Sequence, residues 1–441
     1  MKNGRWIAAL LWTTALATHV ALAAPTSTPA ESDDPVLAAV RDVESKTIAW
    51  YRDVHAHPEL QNQEVRTAKL VAEHLRRLGF DDVRTKVAHT GVVGVLRGRQ
   101  PGVVVALRAD MDALPLQERT GLPYASKVRG TYNGQDVPVM HACGHDAHVA
   151  MLMGAAEVLA NLRKTFAGTV VFLFQPSEEE RPKDDQPVGA ELMIAEGALD
   201  NPKPSAIFGI HVLPLAPGSF GYAAGPAMAA QETFSVTLTG RQTHGSMPWM
   251  GVDLIPLAGE IVSALGRIPS SQVDMMRGAT VLTIGHIEGG QVANVIPAEV
   301  RFEGTMRTVD EDNRKAAVAA IERVVTGMAQ AGGAKAQVHF KRGYPVTYND
   351  PALTEKVVPI LRKVAGDRGA VQMPPLLAAE DFSYYQQRIP GVYFYLGINQ
   401  DNAKPDEIYA NHSDKFRSNE SALRYGVEAH VRVALSQLGT Q

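Results

Sequence analysis

Residues 103–115 read VVVALRADMDALP, and this stretch gives the first indication of the fold. Its first five residues are apolar and mostly β-branched, so they predict a strand that is covered on both faces. Similar runs follow at 169–174 (TVVFLF) and 206–210 (AIFGI), and a helical pattern lies over 146–162. Strands that alternate with helices predict parallel βαβ units and therefore an α/β fold.

Polar side chains follow each of these three strands at its carboxyl end. Asp110 and Asp112 follow the first strand, Glu178 and Glu179 the second, and His211 the third. In open α/β sheets ligands bind outside the carboxyl ends of the strands, so these side chains are expected to converge although they are far apart in sequence. We therefore expect a polar cleft at this edge of the sheet.

The middle of the chain has a different pattern. Strand-like and helix-like runs alternate in the order β-α-β-β-α-β over 233–239, 252–265, 279–287, 296–305, 311–328 and 336–340. This is the order of a ferredoxin-like unit of small-domain size. It interrupts an α/β pattern that resumes at Leu353, which predicts an inserted lid. The predicted division is a catalytic domain in two parts, 36–228 and 344–441, with a lid over 229–343.

The first residues predict export. Lys2 and Arg5 precede an apolar run over 7–17, and a small-x-small cleavage pattern follows at 21–23, so residues 1–23 are typical of a signal peptide. That run is shorter than the roughly 20 residues needed to span a bilayer, so no stable membrane anchor is expected. Residues 24–35 are rich in Pro, Ser, Thr and acidic residues, which predicts a disordered lead-in. The mature protein is expected in the periplasm or outside the cell.

The composition limits the possible classes of protein. The chain has 441 residues, of which 45% are hydrophobic and 20% charged, and this mix is that of a globular protein with a sizeable core. A formal net charge of −4 argues against a nucleic-acid-binding protein. Cys143 is the single cysteine, so no intramolecular disulfide can form. A lone thiol in an oxidising compartment is expected to be buried or bound to a ligand.

The densest group of potential metal ligands is HACGHDAH at 141–148. Cysteine, histidine and carboxylate side chains are the usual ligands of zinc-like divalent ions. Gly144 permits unusual backbone angles between Cys143 and His145. The helix expected to begin near Asp146 would favour a thiolate at its amino terminus. The group therefore predicts a metal site.

The acidic run at 177–180 (SEEE) predicts paired carboxylates in the cleft. An acidic run is often a solvated surface, but this one follows a buried strand. Two carboxylates there have a natural division of labour, in which one binds metal and the other takes a proton from water. Glu180 is given no role.

His211 and His412 are weaker candidates for metal ligands by themselves, because a single histidine is as often a hydrogen-bonded structural residue as a ligand.

Together these motifs resemble the aminoacylase and carboxypeptidase-G-type superfamily of di-metal hydrolases. The resemblance is to the branch of N-acyl-amino-acid amidohydrolases, hippurate hydrolases and auxin-conjugate hydrolases. The matching segments, in chain order, are RADMDALP (108–115), MHACGHDAH (140–148), FQPSEEE (174–180), GIHV (209–212), THGSMP (243–248), GGQVANVIP (289–297), GTMRT (304–308), AEDF (379–382) and NHSDKF (411–416). The resemblance implies a catalytic α/β domain, with a mixed, mostly parallel sheet flanked by helices, and an inserted ferredoxin-like lid through which two chains form a homodimer.

The resemblance also implies two divalent metal ions per chain. Cys143 would bridge them, His145 and His211 would complete one, and Glu179 and His412 the other. Zinc, manganese, cobalt and nickel are all compatible with such a mixed set of ligands.

Further residues match functional positions of the family that the chain resembles. Glu178 would be the general base and acid, and Asp112 would orient a metal ligand. In the lid, His244 would stabilise the oxyanion, within its own chain or in the partner. Asn294 and Arg307 would hold the carbonyl or carboxylate of the substrate.

Two positions depart from the family pattern. Asp110 stands where many relatives have a metal-binding histidine, so it is excluded as a ligand. The segment 180–189 (ERPKDDQPVG) replaces a shorter glycine-rich loop.

The predicted activity is hydrolysis of the amide bond of an N-acyl amino acid or a small peptide-like conjugate. Metal-bound hydroxide would attack the carbonyl after Glu178 takes its proton. Two alternatives stay open. One is a cysteine hydrolase with Cys143 as nucleophile, whose activity would persist in the presence of EDTA. The other is a non-catalytic periplasmic metal- or solute-binding protein, which would hydrolyse no N-acyl amino acid.

Overall fold

The structure is a computed structural model that describes residues 34–179, 186–341 and 343–440. The predicted signal peptide, almost all of the predicted lead-in and the start of the loop at 180–189 lie outside the described residues. Within the described ranges, no helix combines the length and the apolar character needed to cross a membrane.

The α-helices of the described part of the chain are α1 (Pro35–Ala56), α2 (Val65–Arg77), α3 (His145–Asn161), α4 (Gly189–Ala195), α5 (Leu254–Leu265), α6 (Ile268–Ser271), α7 (Glu311–Ala331), α8 (Pro351–Ala365), α9 (Phe382–Gln386) and α10 (Leu423–Gln437). The strands are β1 (Asp82–Val87), β2 (Gly91–Arg97), β3 (Val104–Asp110), β4 (Arg129–Tyr132), β5 (Gln135–Pro138), β6 (Phe166–Ala167), β7 (Thr169–Gln175), β8 (Ala206–Leu213), β9 (Phe220–Tyr222), β10 (Gly225–Met228), β11 (Ala230–Thr239), β12 (Thr243–His244), β13 (Thr280–Gly289), β14 (Val295–Ile296), β15 (Glu299–Thr308), β16 (Lys335–Lys341), β17 (Thr347–Asn349), β18 (Ala370–Gln372), β19 (Gly391–Gly397) and β20 (Gly439–Thr440).

The largest sheet has eight strands in the order β1-β2-β7-β3-β8-β19-β9-β18. Its four central strands, β7, β3, β8 and β19, are parallel to one another. On either side of these four, β2 and β9 pair antiparallel with their neighbours. The predicted α/β class with a mixed, mostly parallel sheet is confirmed.

Helices cover both faces of this sheet. Val105 and Leu107 of β3 pack into one core with α1, α3 and α10, whereas Ala106 between them packs into a second core with α4 and α9. Successive side chains of a strand point to opposite faces. A strand between two cores must therefore be apolar at every position, which explains the uninterrupted apolar run in the sequence.

A second sheet, of four antiparallel strands, has the order β13-β15-β11-β16. Both α5 and α7 pack on it in one separate core. In chain order the strands and the two packing helices follow the pattern β-α-β-β-α-β, which is that of a ferredoxin-like unit. The buried residues of β11 alternate with half-buried ones, as expected when only one face of a sheet carries helices.

The third predicted strand is longer than the sequence indicated. It was predicted to end at Ile210, before His211, but β8 continues to Leu213 because it pairs with β19 as far as Leu213 and Gly397. His211 is therefore held within the sheet. The carboxyl ends of β3, β7 and β8 lie side by side at one edge.

Candidate active site

Three potential ligands from two parts of the chain meet at this edge. The ligand atoms of Cys143, His145 and His211 all lie within 4.8 Å of one another, and Cys143 Sγ is 3.4 Å from His211 Nε2. Cys143 lies in the loop before α3, His145 is the first residue of α3, and His211 is in β8. We call these three residues the first triplet.

A second triplet shares the same cysteine. The ligand atoms of Cys143, Glu179 and His412 also lie within 4.8 Å of one another, and His412 Nε2 is 3.3 Å from Glu179 Oε1. The main-chain N–H of His412 donates to the carbonyl of Ala142 at 2.7 Å. This hydrogen bond holds a segment from near the end of the chain beside the cysteine loop.

The electrostatics of both triplets fit divalent cations. His145 Nε2 and Glu179 Oε1 are buried and have no hydrogen-bond partner among the described residues, which is costly for a polar atom. His145 Nδ1 donates to the carbonyl of Asp112 at 2.8 Å, so its Nε2 is left for a ligand. Burial lowers the pKa of His145, but Asp110 and Asp112 outweigh it and raise the pKa to about 10. The site thus has an excess of negative charge.

The thiol of Cys143 behaves differently from the sequence-based expectation. The helix amino terminus was expected to favour a thiolate, but burial, followed by the charges of Glu179 and Glu178, raises the pKa of Cys143 well above its usual range. Burial opposes charge, and two nearby carboxylates repel a thiolate. Only added positive charge, such as bound cations, would reverse this balance.

Glu178 lies beside the triplets and is buried. Its Oε2 is 3.9 Å from His145 Nε2. Burial, followed by the charges of Glu380, Glu179 and Asp381, raises its pKa well above the usual range of a carboxyl group. A carboxyl group whose pKa is raised binds a proton more readily, which suits it to take up and release one.

A buried charge cluster behind Glu178 had no predicted role. The guanidinium of Arg108 donates to Asp110 at 2.6 Å, to Glu380 at 2.9 Å and to Asp381 at 2.8 Å. Sequence reasoning placed these residues within the RADMDALP and AEDF segments but gave no function to Arg108, Glu380 or Asp381. One signal could have identified Glu380 and Asp381 from the sequence, namely a pair of adjacent carboxylates within a segment whose other residues are mostly apolar.

Asp110 could be mistaken for a further ligand. Its ligand atom lies within 4.8 Å of those of His145 and His148. However, Oδ2 of Asp110 accepts from Arg108 at 2.6 Å and Oδ1 is 2.5 Å from His148 Nδ1. Both oxygens are occupied by protein donors, and the exclusion of Asp110 as a ligand stays a prediction.

A second buried ion group supports α3 and was also missed. His55 Nδ1 is 2.6 Å from Asp146 Oδ2, and His55 Nε2 is 3.1 Å from Glu118 Oε1. Burial lowers the pKa of His55, but the hydrogen bonds to Asp146 and Glu118 outweigh it and raise the pKa to about 9. Asp146 directly follows His145, so this group anchors the first turn of α3.

The residues predicted for the lid lie elsewhere. His244 is exposed in β12 and pairs with Val295 of β14, and the N–H of Gly245 donates to the carbonyl of Asn294 at 2.8 Å. Arg307 lies in β15, where its Nη1 donates to Thr305 Oγ1 at 3.0 Å. The main chain next to His244 thus lies against that of Asn294. Among the described residues, no hydrogen bond or ion pair joins His244, Asn294 or Arg307 to the triplets.

Comparison with known proteins identifies the family. A model of peptidase family M20/M25/M40 matches residues 106–436. A thermostable carboxypeptidase 1 from Saccharolobus solfataricus is 39% identical over 398 residues, which are 90% of this chain and 96% of the relative. An N-acyl-L-amino acid amidohydrolase from Geobacillus stearothermophilus is 40% identical over 311 residues, which are 70% of this chain and 80% of the relative.

A solved structure leads to the same family. The Bacillus subtilis YxeP protein, a dinuclear metal binding peptidase from the M20 family, has a TM-score of 0.74 at 32% identity and covers 90% of this chain and 99% of its own. These matches confirm the resemblance and favour a metal-dependent hydrolase over the two alternatives. The chain therefore belongs to peptidase family M20/M25/M40 and is a metal-dependent hydrolase of amide bonds.

Proposed function

We propose that the protein hydrolyses the amide bond of N-acyl amino acids or of small peptide-like conjugates. The observation that carries this proposal is the pair of triplets that share Cys143, with the buried carboxyl group of Glu178 beside them. The relative from Geobacillus stearothermophilus, an N-acyl-L-amino acid amidohydrolase, supports this class of substrate.

The roles proposed for the site follow from the chemistry of its side chains. Cys143, His145 and His211 would hold one cation, and Cys143, Glu179 and His412 the other. A pair of divalent cations, when bound, polarises a carbonyl group and lowers the pKa of water. Glu178 takes a proton from the attacking water and delivers it to the amine as the carbon–nitrogen bond breaks.

Asp112 is proposed to orient both halves of the site. Its carbonyl oxygen accepts from His145 Nδ1 at 2.8 Å, and its Oδ2 accepts the main-chain N–H of Glu179 at 3.0 Å. One residue thus contacts a member of each triplet. Such supporting hydrogen bonds set the direction of ligand atoms and the tautomer of a ligating histidine.

In the lid, proposed as 229–343, His244 is suited to stabilise an oxyanion. Both the N–H and the hydroxyl of Ser246 lie close to His244 Nδ1, at 3.1 and 2.8 Å. Because the Ser246 N–H must donate, Nδ1 is an acceptor, and the proton of a neutral ring lies on Nε2. That proton could be donated to the developing negative charge on the carbonyl oxygen. Asn294, beside it, and Arg307 would bind the carbonyl or carboxylate of the substrate.

Two further features belong to the proposal. The protein forms a homodimer through the lid, so that His244 of one chain can complete the site of the other. It is exported, and residues 1–23 are removed, so that the enzyme works in the periplasm or outside the cell.

Metal removal and reconstitution test the proposal. Protein treated exhaustively with a chelator should lose activity on a panel of N-acyl amino acids and regain it with zinc, manganese or cobalt. Full activity in protein shown by elemental analysis to be metal-free would instead support the cysteine hydrolase. Reconstituted protein that cleaves no member of the panel would support the binding protein.

A further inference from the structure

The turn that carries Glu178 and Glu179 has an unfavourable backbone conformation. Ser177, immediately before them, has a φ of 53° and is completely buried. This left-handed region is unfavourable for a residue with a Cβ, and such residues persist only where the surroundings hold them. Contacts from elsewhere must therefore hold the segment 177–179, which we call the catalytic turn.

The first of these contacts comes from Glu64, at the start of α2. Glu64 is completely buried, and its Oε1 accepts the main-chain N–H of Ser177 at 2.9 Å and that of Asn62 at 3.0 Å. Its Oε2 accepts from the hydroxyl of Thr90 at 2.5 Å. Both carboxylate oxygens are thus anchored, and one of them binds the amide group of the left-handed residue itself.

The second contact comes from Tyr344, where the chain returns from the ferredoxin-like sheet. Its hydroxyl donates to the main-chain carbonyl of Glu178 at 2.5 Å. The carbonyl of Tyr344 accepts the N–H of Gln231, at the start of β11, at 2.9 Å. With Asp112 bound to the N–H of Glu179, each of the three consecutive residues of the catalytic turn has one main-chain group held by a buried side chain.

We propose that Glu64 and Tyr344 are positioning residues that hold the catalytic turn in its left-handed conformation. The inference rests on the roles proposed above for Glu178 and Glu179. Because these two residues are adjacent, a rotation of the peptide before them would redirect both carboxylates at once. Glu64 and Tyr344 hydrogen-bond to the main chain of the turn and act through it.

Substitution of Glu64 tests the first contact. Glu64→Ala should lower kcat by about 10²-fold, the effect of misplacing a catalytic group by roughly 1 Å, and should also reduce the metal content measured by elemental analysis. Glu64→Gln keeps an acceptor oxygen for the Ser177 N–H and should recover most of both losses.

Glu59→Ala is the matched control. Glu59 lies in the same segment and its carboxylate also accepts two main-chain N–H groups, those of Arg66 and Thr67, both at 2.8 Å. These belong to the first turn of α2 and not to the catalytic turn. This variant should lower the melting temperature while keeping the kcat and metal content of the parent.

A second-site substitution separates positioning from general stabilisation. Glycine adopts a positive φ without strain, so Ser177→Gly added to Glu64→Ala should raise kcat by about tenfold over Glu64→Ala alone, because the turn no longer has to be forced into this conformation. If Glu64 merely stabilised the fold, the added glycine would recover nothing.

Removal of one hydroxyl tests the second contact. Tyr344→Phe keeps the ring and should lower kcat by up to about tenfold, the effect of one hydrogen bond, with KM less affected. Tyr384→Phe is its control, because the Tyr384 hydroxyl donates to the carbonyl of Gly343 at 2.9 Å and not to the catalytic turn.

The outcomes distinguish this inference from the proposed function. If the parent is active and Glu178→Ala is not, a folded Glu64→Ala with the kcat and metal content of the parent overturns the inference. Should Glu64→Ala fail to fold, a parent-like kcat for Tyr344→Phe overturns it instead. The proposed function is overturned if the parent hydrolyses no N-acyl amino acid or if Glu178→Ala is fully active. In that case the metal content of the Glu64 variants alone tests the inference.

Discussion

Glu178 and Glu179 are identical side chains in adjacent positions, yet their surroundings differ. Glu178 is buried against Glu380 and Asp381, whose charges add to the effect of burial and raise its pKa. Glu179 lies 3.3 Å from His412, and its Oε1 has no hydrogen-bond partner among the described residues. The surroundings thus suit Glu178 to exchange a proton and Glu179 to bind a cation.

Alanine substitutions test this division. Glu178→Ala should lower kcat by about 10²- to 10⁴-fold, the contribution of a general acid–base group, while the metal content stays close to that of the parent. Glu179→Ala should lose metal as well as rate, because it removes a proposed metal ligand. Metal content by elemental analysis and kcat are the measurements. Equal loss of metal in both variants would show that the two roles are assigned wrongly.

His55 offers a test by pH. Its pKa is raised from 6.5 to about 9 by Asp146 and Glu118, against the effect of burial, so the folded protein binds the proton more tightly than the unfolded chain. The stabilisation is therefore complete below pH 6.5 and is lost as the pH rises through about 9. The free energy of unfolding of the parent should exceed that of His55→Asn by about 3 kcal/mol at pH 6.

This difference should shrink between pH 6.5 and 9, which denaturant titrations at several pH values would reveal. His57→Asn, a change at an exposed histidine two residues along the chain, should alter stability little at any pH. A difference for His55→Asn that is constant from pH 6 to pH 10 would contradict the assignment.

Among the elements, the turn into α3 is decisive because it carries both Cys143 and His145. Gly144 has a φ of 100°, and a Cβ at this position would lie 2.2 Å from Val212 Cγ2 of β8. The close approach of the turn to β8 places Cys143 beside His211. Only glycine can adopt this backbone angle without strain and also fit into the space beside Val212.

Gly144→Ala should therefore disturb the metal site and the fold together. We expect a loss of stability on the order of 3 kcal/mol, from the left-handed angle and the collision combined, and a lower metal content. Gly79→Ala is the control, because Gly79 also has a positive φ of 71° but has no atom within 4 Å of the added Cβ. It should cost about 1 kcal/mol and leave the metal content unchanged. Thermal unfolding and elemental analysis would decide.

At the scale of the whole molecule, the two sheets are joined where the chain crosses between them. The N–H of Gln231, where the chain leaves, donates to the carbonyl of Tyr344, where it returns. A Cβ on Gly343 would lie 1.6 Å from the carbonyl oxygen of Gln231, so the two crossings are in direct contact. His244 lies beyond this junction, in the part proposed as the lid.

Mixed dimers test whether His244 acts across the proposed homodimer. His244→Ala should lower kcat far more than it raises KM, since an oxyanion contact is made mainly in the transition state, and metal content should be unchanged. Mixing His244→Ala with Glu178→Ala should restore activity in heterodimers, because each heterodimer contains one intact composite site. Heterodimers that are proven to form but show no recovery would place His244 in its own chain. A kcat equal to that of the parent would remove His244 from the mechanism.

The sequence by itself determined several of the strands and helices and the candidate ligands. The strand predicted over 169–174 is Thr169–Gln175, and the helix predicted over 311–328 is Glu311–Ala331. Such patterns are readable because apolar runs and helical periodicity are local properties of the chain. The end of β8 was missed because it depends on pairing with β19, a strand nearly two hundred residues away.

Tertiary structure alone decided which groups support the site and how they titrate. Arg108 meets Glu380 across 272 residues of sequence, and Glu64 meets Ser177 across 113. No spacing rule connects residues so far apart, since their distance is set by the order of the strands and the packing of the helices. The raised pKa of Cys143 has the same origin: burial and the neighbouring carboxylates outweigh the local effect of the helix terminus, and both arise only when the chain is folded.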